Sequence, residues 1–280
     1  MAPTQVYARL LDHGIYHCSV STMYRILRAE DEVRERRNQR QHRDYKKPEL
    51  LATAPNQVWS WDITKLRGPE KLVYYHLYVI LDIFSRYVVG WLIADRESGA
   101  LAEALIQECC IRQNIEQKQL IIHSDRGTAM TSKPVSNLLA ELQVTKSLSR
   151  PRVSNDNPYS ESQFKTLKYH PEFPDRFGSL EDARLFCRSF IYWYNNVHYH
   201  TGLALLTPAT VHYKRTKDVL AQRSIVLQEA HALNPDRFVK GVPRPAEPPK
   251  EAWINPPVFE TTELGGVLSN CNLPTSILDS

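Results

Sequence analysis

The run from Leu72 to Leu81 (LVYYHLYVIL) is apolar and aromatic almost without interruption. It is too short to cross a bilayer and rich in β-branched and aromatic side chains, so it predicts a buried strand. Val58–Leu66 before it alternates, with Trp59, Trp61 and Ile63 on one face and Ser60, Asp62 and Thr64 on the other. Tyr87–Ala94 predicts a third strand. The joints Arg67–Glu70 and Asp82–Arg86 are short enough for antiparallel hairpins. Folding the first about Pro69 sets Asp62 opposite about His76. Downstream come an amphipathic helix over 99–114, a strand over 120–123, a helix over 132–142 and a strand over 144–148. A further helix is capped by Asn157 and opened by Pro158, and an aromatic one spans 180–200. This order predicts an α/β domain, a mixed five-stranded sheet flanked by helices.

The flanks read differently. Residues 1–33 predict a helical pair, with a turn at Gly14 and a Ser19 cap before a helix carrying Arg25 and Arg28. That pattern suits a helix-turn-helix remnant and an ordinary helical hairpin equally. Residues 34–52 read as a basic linker, since Arg34–Lys47 holds seven Lys/Arg and two acids. Residues 216–280 read as an irregular tail, because eight of the 18 prolines fall within 235–280. Net charge is +4, which allows a nucleic-acid partner without requiring one. Five scattered cysteines, none in a Cys-x-x-Cys pair, predict a reducing compartment with neither a disulfide framework nor a cysteine zinc site. No apolar run is long enough for a membrane span, so a cytoplasmic protein is expected.

Three acids stand out from ordinary surface charge. Asp62 lies in mid-strand, where an acid is costly unless something pairs with it. Asp125 follows the strand ending at His123 and sits beside Gly127, where α/β domains place ligand groups. Glu161 lies in the first turn of the helix opened by Pro158, with Lys165 and Lys168 at i+4 and i+7. Alone, that stripe reads as a solvated surface pair worth about 0.3–0.5 kcal/mol. Asp82 is a turn residue about 20 Å along the sheet from Asp62 by strand rise. Asp95 and Glu97 fall in a polar loop.

Thirty-five residues separate Asp125 from Glu161. A mid-strand acid, an acid at a neighbouring strand's tip and a helical Glu at this distance resemble the DDE motif of the retroviral integrase and transposase superfamily. The blocks WDIT (61–64), DIFSR (82–86), HSDRG (123–127) and DNPYSE (156–161) followed by Lys168 look like those of bacterial insertion-sequence transposases with an integrase core. The similarity covers about residues 53–215.

The resemblance implies a ribonuclease-H-like fold and a DNA transposase that cleaves and joins element ends. It implies that Asp62, Asp125 and Glu161 are catalytic and hold two Mg²⁺ or Mn²⁺ ions, a hard-oxygen set suited to these metals. Lys168 then faces DNA beside the cleavage point. Helix geometry adds Lys165, and charge adds Arg150, Arg152, Arg25, Arg28 and the basic arm. His123 shares the strand face of Asp125 and is either a residue that orients a ligand or a packed histidine. Unlike retroviral relatives, the chain has no paired His/Cys spacing for zinc. Expected partners are element-end and target DNA, further copies of the chain and, because the N-terminal region is short, a separate end-recognition polypeptide. The expected location is the bacterial cytoplasm, on the nucleoid. Two alternatives stay open: a catalytically silent DNA-binding remnant and a metal-dependent nuclease of the same fold.

Overall fold

The computed structural model describes residues 2–30, 32, 45–151 and 153–257. The chain divides into two compact units, residues 1–44 and 45–280. In the first, helix α1 (Pro3–Asp12) and helix α2 (Val20–Ala29) are joined through Gly14, whose φ of 73° needs no side chain. The Ser19 hydroxyl accepts from the Thr22 amide at 3.3 Å and caps α2 as expected. Neither helix has a buried residue, and Arg25 and Arg28 are exposed. Most of the basic arm, Arg152 and the end of the tail lie outside the described residues.

The second unit runs β1 (Leu50–Ala52), β2 (Val58–Arg67), β3 (Tyr74–Asp82), β4 (Val88–Ala94), α3 (Gly99–Arg112), β5 (Ile121–Ser124), α4 (Lys133–Glu141), β6 (Thr145–Leu148), α5 (Pro158–Lys168), α6 (Leu180–Asn196), α7 (Pro208–His212), α8 (Thr216–Leu233) and β7 (Ala252–Ile254). Five strands form one sheet in the order β4-β3-β2-β5-β6. β2, β3 and β4 are antiparallel neighbours, whereas β5 and β6 join parallel through the α3 and α4 crossovers. This is the mixed, helix-flanked five-stranded sheet that the element order predicts, and the ribonuclease-H-like fold that the resemblance implies.

The two faces of the sheet are both covered. Trp59, Trp61, Tyr78, Ile80 and Ile122 pack against Leu105 and Ile106 of α3 and Val135, Leu138 and Leu139 of α4. Leu66, Leu77, Val79 and Leu81 pack against Phe164 and Leu167 of α5 and Ala183, Phe190 and Tyr194 of α6. The aromatic helix thus buries much of its aromatic content, although Tyr192 is exposed. α3 lies so close to β4 that a Cβ on Gly90 would overlap the Cys109 sulfur.

Three expectations need correction. The first hairpin turns later than Pro69: Asp62 pairs with Val79, and His76 pairs with Lys65. Leu72, assigned to β3, instead sits in the loop at φ 73° and 78 % exposed, and Gly68 and Val73 close the turn. Asp82 therefore pairs with Trp59, three positions from Asp62 or about 10 Å rather than 20 Å along the strand. Next, the linker holds β1. Finally, the described part of the tail is ordered: it forms α8 and then β7, which pairs antiparallel with β1 as Leu50↔Ile254 and Ala52↔Ala252. Ala52, Ala252 and Ile254 bury themselves with Val58 and Ile83. α8 has no buried residue, which is why apolar periodicity gave no sign of it.

Candidate active site

β2 and β5 are parallel neighbours, and their last pairs are Ser60↔His123 and Trp61↔Ser124. Asp62 continues β2 one position beyond the last pair, and Asp125 is the first residue after β5 ends. Asp62 shares the face of Ser60, the face that receives α5. α5 buries Ser160, Gln163, Phe164 and Leu167 and leaves Glu161 half-buried at the margin of this contact. The Ser60 hydroxyl bonds both the Asn157 side chain and the Ser160 hydroxyl. The Asn157 amide also donates to Trp61 O at 3.4 Å. Asn157 occupies the N-cap position as expected, but its side chain ties α5 to β2 instead of capping.

Electrostatics report how these groups meet. Burial raises the Asp62 carboxyl to about 7, against a pull downward by the Ile63 amide, which donates to it at 2.8 Å. The charges of Asp125 and Glu161 push it further up, and Lys168 draws it down. Asp62 thus feels the other two acids and Lys168 together. Among the described residues, no three His, Cys, Asp or Glu side chains stand as a ready cage for a metal ion. Asp62 turns to its own backbone, and Asp125 accepts from the Ser149 hydroxyl at 2.6 Å. Asp62, Asp125 and Glu161 offer hard carboxylate oxygens, donors whose chemistry suits a dication of the Mg²⁺ type.

His123 is fully buried, and burial lowers its pKa. Nε2 lies 2.8 Å from the Asp156 carbonyl, which can only accept, so Nε2 carries the proton and Nδ1 accepts from the Ser147 hydroxyl at 2.9 Å. Nε2 is also 3.2 Å from Ser149 Oγ, the group that holds Asp125. The ring thus ties β5 to the segment leading into α5.

That segment centres on Asp156, which the sequence reading passed over as part of a motif. Its carboxylate is fully buried and accepts from the Arg150 amide at 2.8 Å, Arg150 Nε at 3.0 Å, Arg150 Nη2 at 2.9 Å and Asn255 Nδ2 at 2.8 Å. Burial pushes this carboxyl up, but the Arg150 and Asn255 bonds outweigh it and hold the group at about 2. Arg150, expected on phosphate, has its guanidinium in this bidentate pair. Lys165 and Lys168 are exposed on α5. Arg126 was also missed, although it adjoins Asp125. It is exposed, donates Nε to Ser149 O at 2.9 Å and stacks 4.4 Å from the Tyr45 ring. Asp82 is committed elsewhere, accepting from the Ser85 hydroxyl at 2.8 Å beside His212 at 3.6 Å.

Residues 52–154 and 142–208 match two profiles, both described as Integrase core domain, which together span more than half of the chain. The chain belongs to the integrase core family. Its integrase core is similar to that of bacterial insertion-sequence transposases. It is 33 % identical over 158 residues to the transposase for insertion sequence element IS904 of Lactococcus lactis subsp. lactis (strain IL1403), covering 56 % of this chain and 61 % of that protein. It is 32 % identical over 161 residues to transposase InsF for insertion sequence IS3A of Escherichia coli (strain K12), covering 57 % of this chain and 55 % of that protein. The chain therefore spans less than two thirds of the length of either relative. Among solved structures, the HTLV-2 integrase catalytic core domain in complex with magnesium is similar at 17 % identity, over 57 % of this chain and 97 % of that chain, with a TM-score of 0.43.

Proposed function

We propose that this chain is a DDE transposase that cuts and joins DNA at the ends of a mobile element, with Asp62, Asp125 and Glu161 as its metal-holding carboxylates. The observation that carries the proposal is the integrase core match over residues 52–208, within which half-buried Asp62 feels the charges of Asp125, Glu161 and Lys168. Two dications held there would activate the attacking oxygen and stabilise the leaving 3′-oxygen. The protein's own residues do the remaining work. Ser149 holds the Asp125 carboxylate, and His123 keeps β5 in register with the approach to α5. Lys168 and Lys165 supply positive charge for phosphates flanking the reacting one, and Arg126, next to Asp125 in the chain, adds to it. The acids serve as ligands and not as nucleophiles, so no protein–DNA covalent bond forms.

The test incubates labelled element-end DNA with Mg²⁺ and compares wild type with Glu161→Gln. Strand-transfer product that disappears in the variant supports the reading. Wild-type binding without product points to a silent remnant, and hydrolysis without joining points to a nuclease.

A further inference from the structure

Beyond residue 208, where the family match ends, the chain returns to its own catalytic helix. β7 pairs with β1, and residue 255 then stands at φ 53°, a left-handed turn that Asn tolerates and most residues do not. The Asn255 amide donates one N–H to Pro48 O at 3.1 Å and the other to Asp156 Oδ1 at 2.8 Å. A carbonyl and an ionised carboxylate only accept, so the amide orientation is forced. Asn255 therefore joins three segments distant in sequence: the approach to β1, the C-terminal strap and the approach to α5. One residue earlier in the strap but one, Trp253 O accepts from the Tyr159 hydroxyl at 2.8 Å, and Tyr159 lies two residues from Glu161 within the first turn of α5. The Tyr159 ring is itself held beneath the Arg86 guanidinium at 4.0 Å.

We propose that the strap is part of the active site: Asn255, with the Tyr159–Trp253 bond, is a positioning residue that sets where α5 presents Glu161 to Asp62 and Asp125. The physical reasoning is one of competition. The three acids repel each other, and α5 is anchored to β2 chiefly through Ser60 and one apolar edge. Its N-terminal end otherwise depends on Asp156, whose carboxylate would lose the hydrogen bond that Asn255 donates, and with it the tie to the strap. The strap lies beyond the matched residues, so the contacts that hold α5 extend past the integrase core match. The inference rests on the proposed role of Glu161.

The test uses the full chain and the variants Asn255→Gly, which keeps the turn and removes the donors, and Tyr159→Phe, which keeps the ring and removes the hydroxyl. Hydrogen exchange, measured without metal or DNA, is expected to quicken about tenfold in peptides from α5 while β2 and β3 stay unchanged. With element-end DNA and Mg²⁺, kcat is expected to fall about tenfold with the half-saturating DNA concentration unchanged, in the range seen when outer partners of metal ligands are removed. Wild-type exchange in α5 overturns the inference. So does faster α5 exchange with unchanged kcat, or a uniform quickening of every element. If wild type makes no product, the transposase reading fails, while the exchange comparison still decides whether the strap holds α5.

Discussion

The two faces of the central sheet are covered by two helices each, yet they are composed to different ends. On the α3/α4 face, Trp59, Trp61, Tyr78 and Ile80 meet Leu105, Ile106 and Leu138 in a cluster of aromatic and aliphatic side chains. On the α5/α6 face, Leu77, Val79 and Leu81 are as apolar, but the part over β2 and β5 carries Ser60, Asp62, His123 and Asn157. Burying such groups costs free energy unless each finds a partner, and most do. Asp62, half-buried, has the Ile63 amide as a partner but also feels the charges of two more acids. The difference shows one fold keeping its stability on one side of a sheet and its reactive charge on the other.

Substitutions can break that division. Trp59→Ala, on the dry face, is expected to cost about 3–5 kcal/mol in chemical denaturation while leaving activity per folded molecule intact. A matching fall in activity per folded molecule would erase the contrast. Asp62→Asn is expected to do the reverse: strand transfer falls on the order of 10³-fold while the melting temperature holds or rises, because a half-buried charge repelled by two other acids is gone.

A third substitution sharpens the boundary between the two kinds of burial. Asp156→Asn is expected to cost about 2 kcal/mol, as the charge-assisted bonds to Arg150 weaken. The wild-type carboxyl is held below its ordinary 3.8, at about 2. The stability it contributes is therefore complete above about pH 4 and is lost as pH falls toward 2. Acid titrations of unfolding should lack that step in the variant, and an identical step would contradict the pairing. Least of all, Lys165→Ala is expected to change stability by less than about 0.5 kcal/mol and to lower the salt slope of DNA binding by about 1.

The same comparison explains what could be read from the amino acids. The strand faces were legible, since Trp59, Trp61 and Ile63 alternate with Ser60, Asp62 and Thr64, and a pleated strand sorts them automatically. Asp62 and Asp125 stood out by position, one in mid-strand and one past a strand end, whereas Glu161 looked like surface charge until its distance from Asp125 matched the DDE spacing. The hairpin register was not: Leu72 looks like strand but occupies the loop in a left-handed conformation. Asp156 was not, because its partners Arg150 and Asn255 lie at very different sequence distances and nothing local marks a buried ion pair. α8 offers no buried stripe to detect, and β1 and β7 are three residues each, paired only through tertiary contact.

The pairing of Leu51 with Trp253 also bears on how the protein is made. Closing a loop of roughly two hundred residues is entropically costly and comes late in folding, after the local hairpins and helices have formed. During synthesis the strand partner of β1 emerges from the ribosome long after the five strands of the central sheet. A polypeptide released early, before β7 is translated, would have the sheet and all three acids but no closing stitch between its two distant segments.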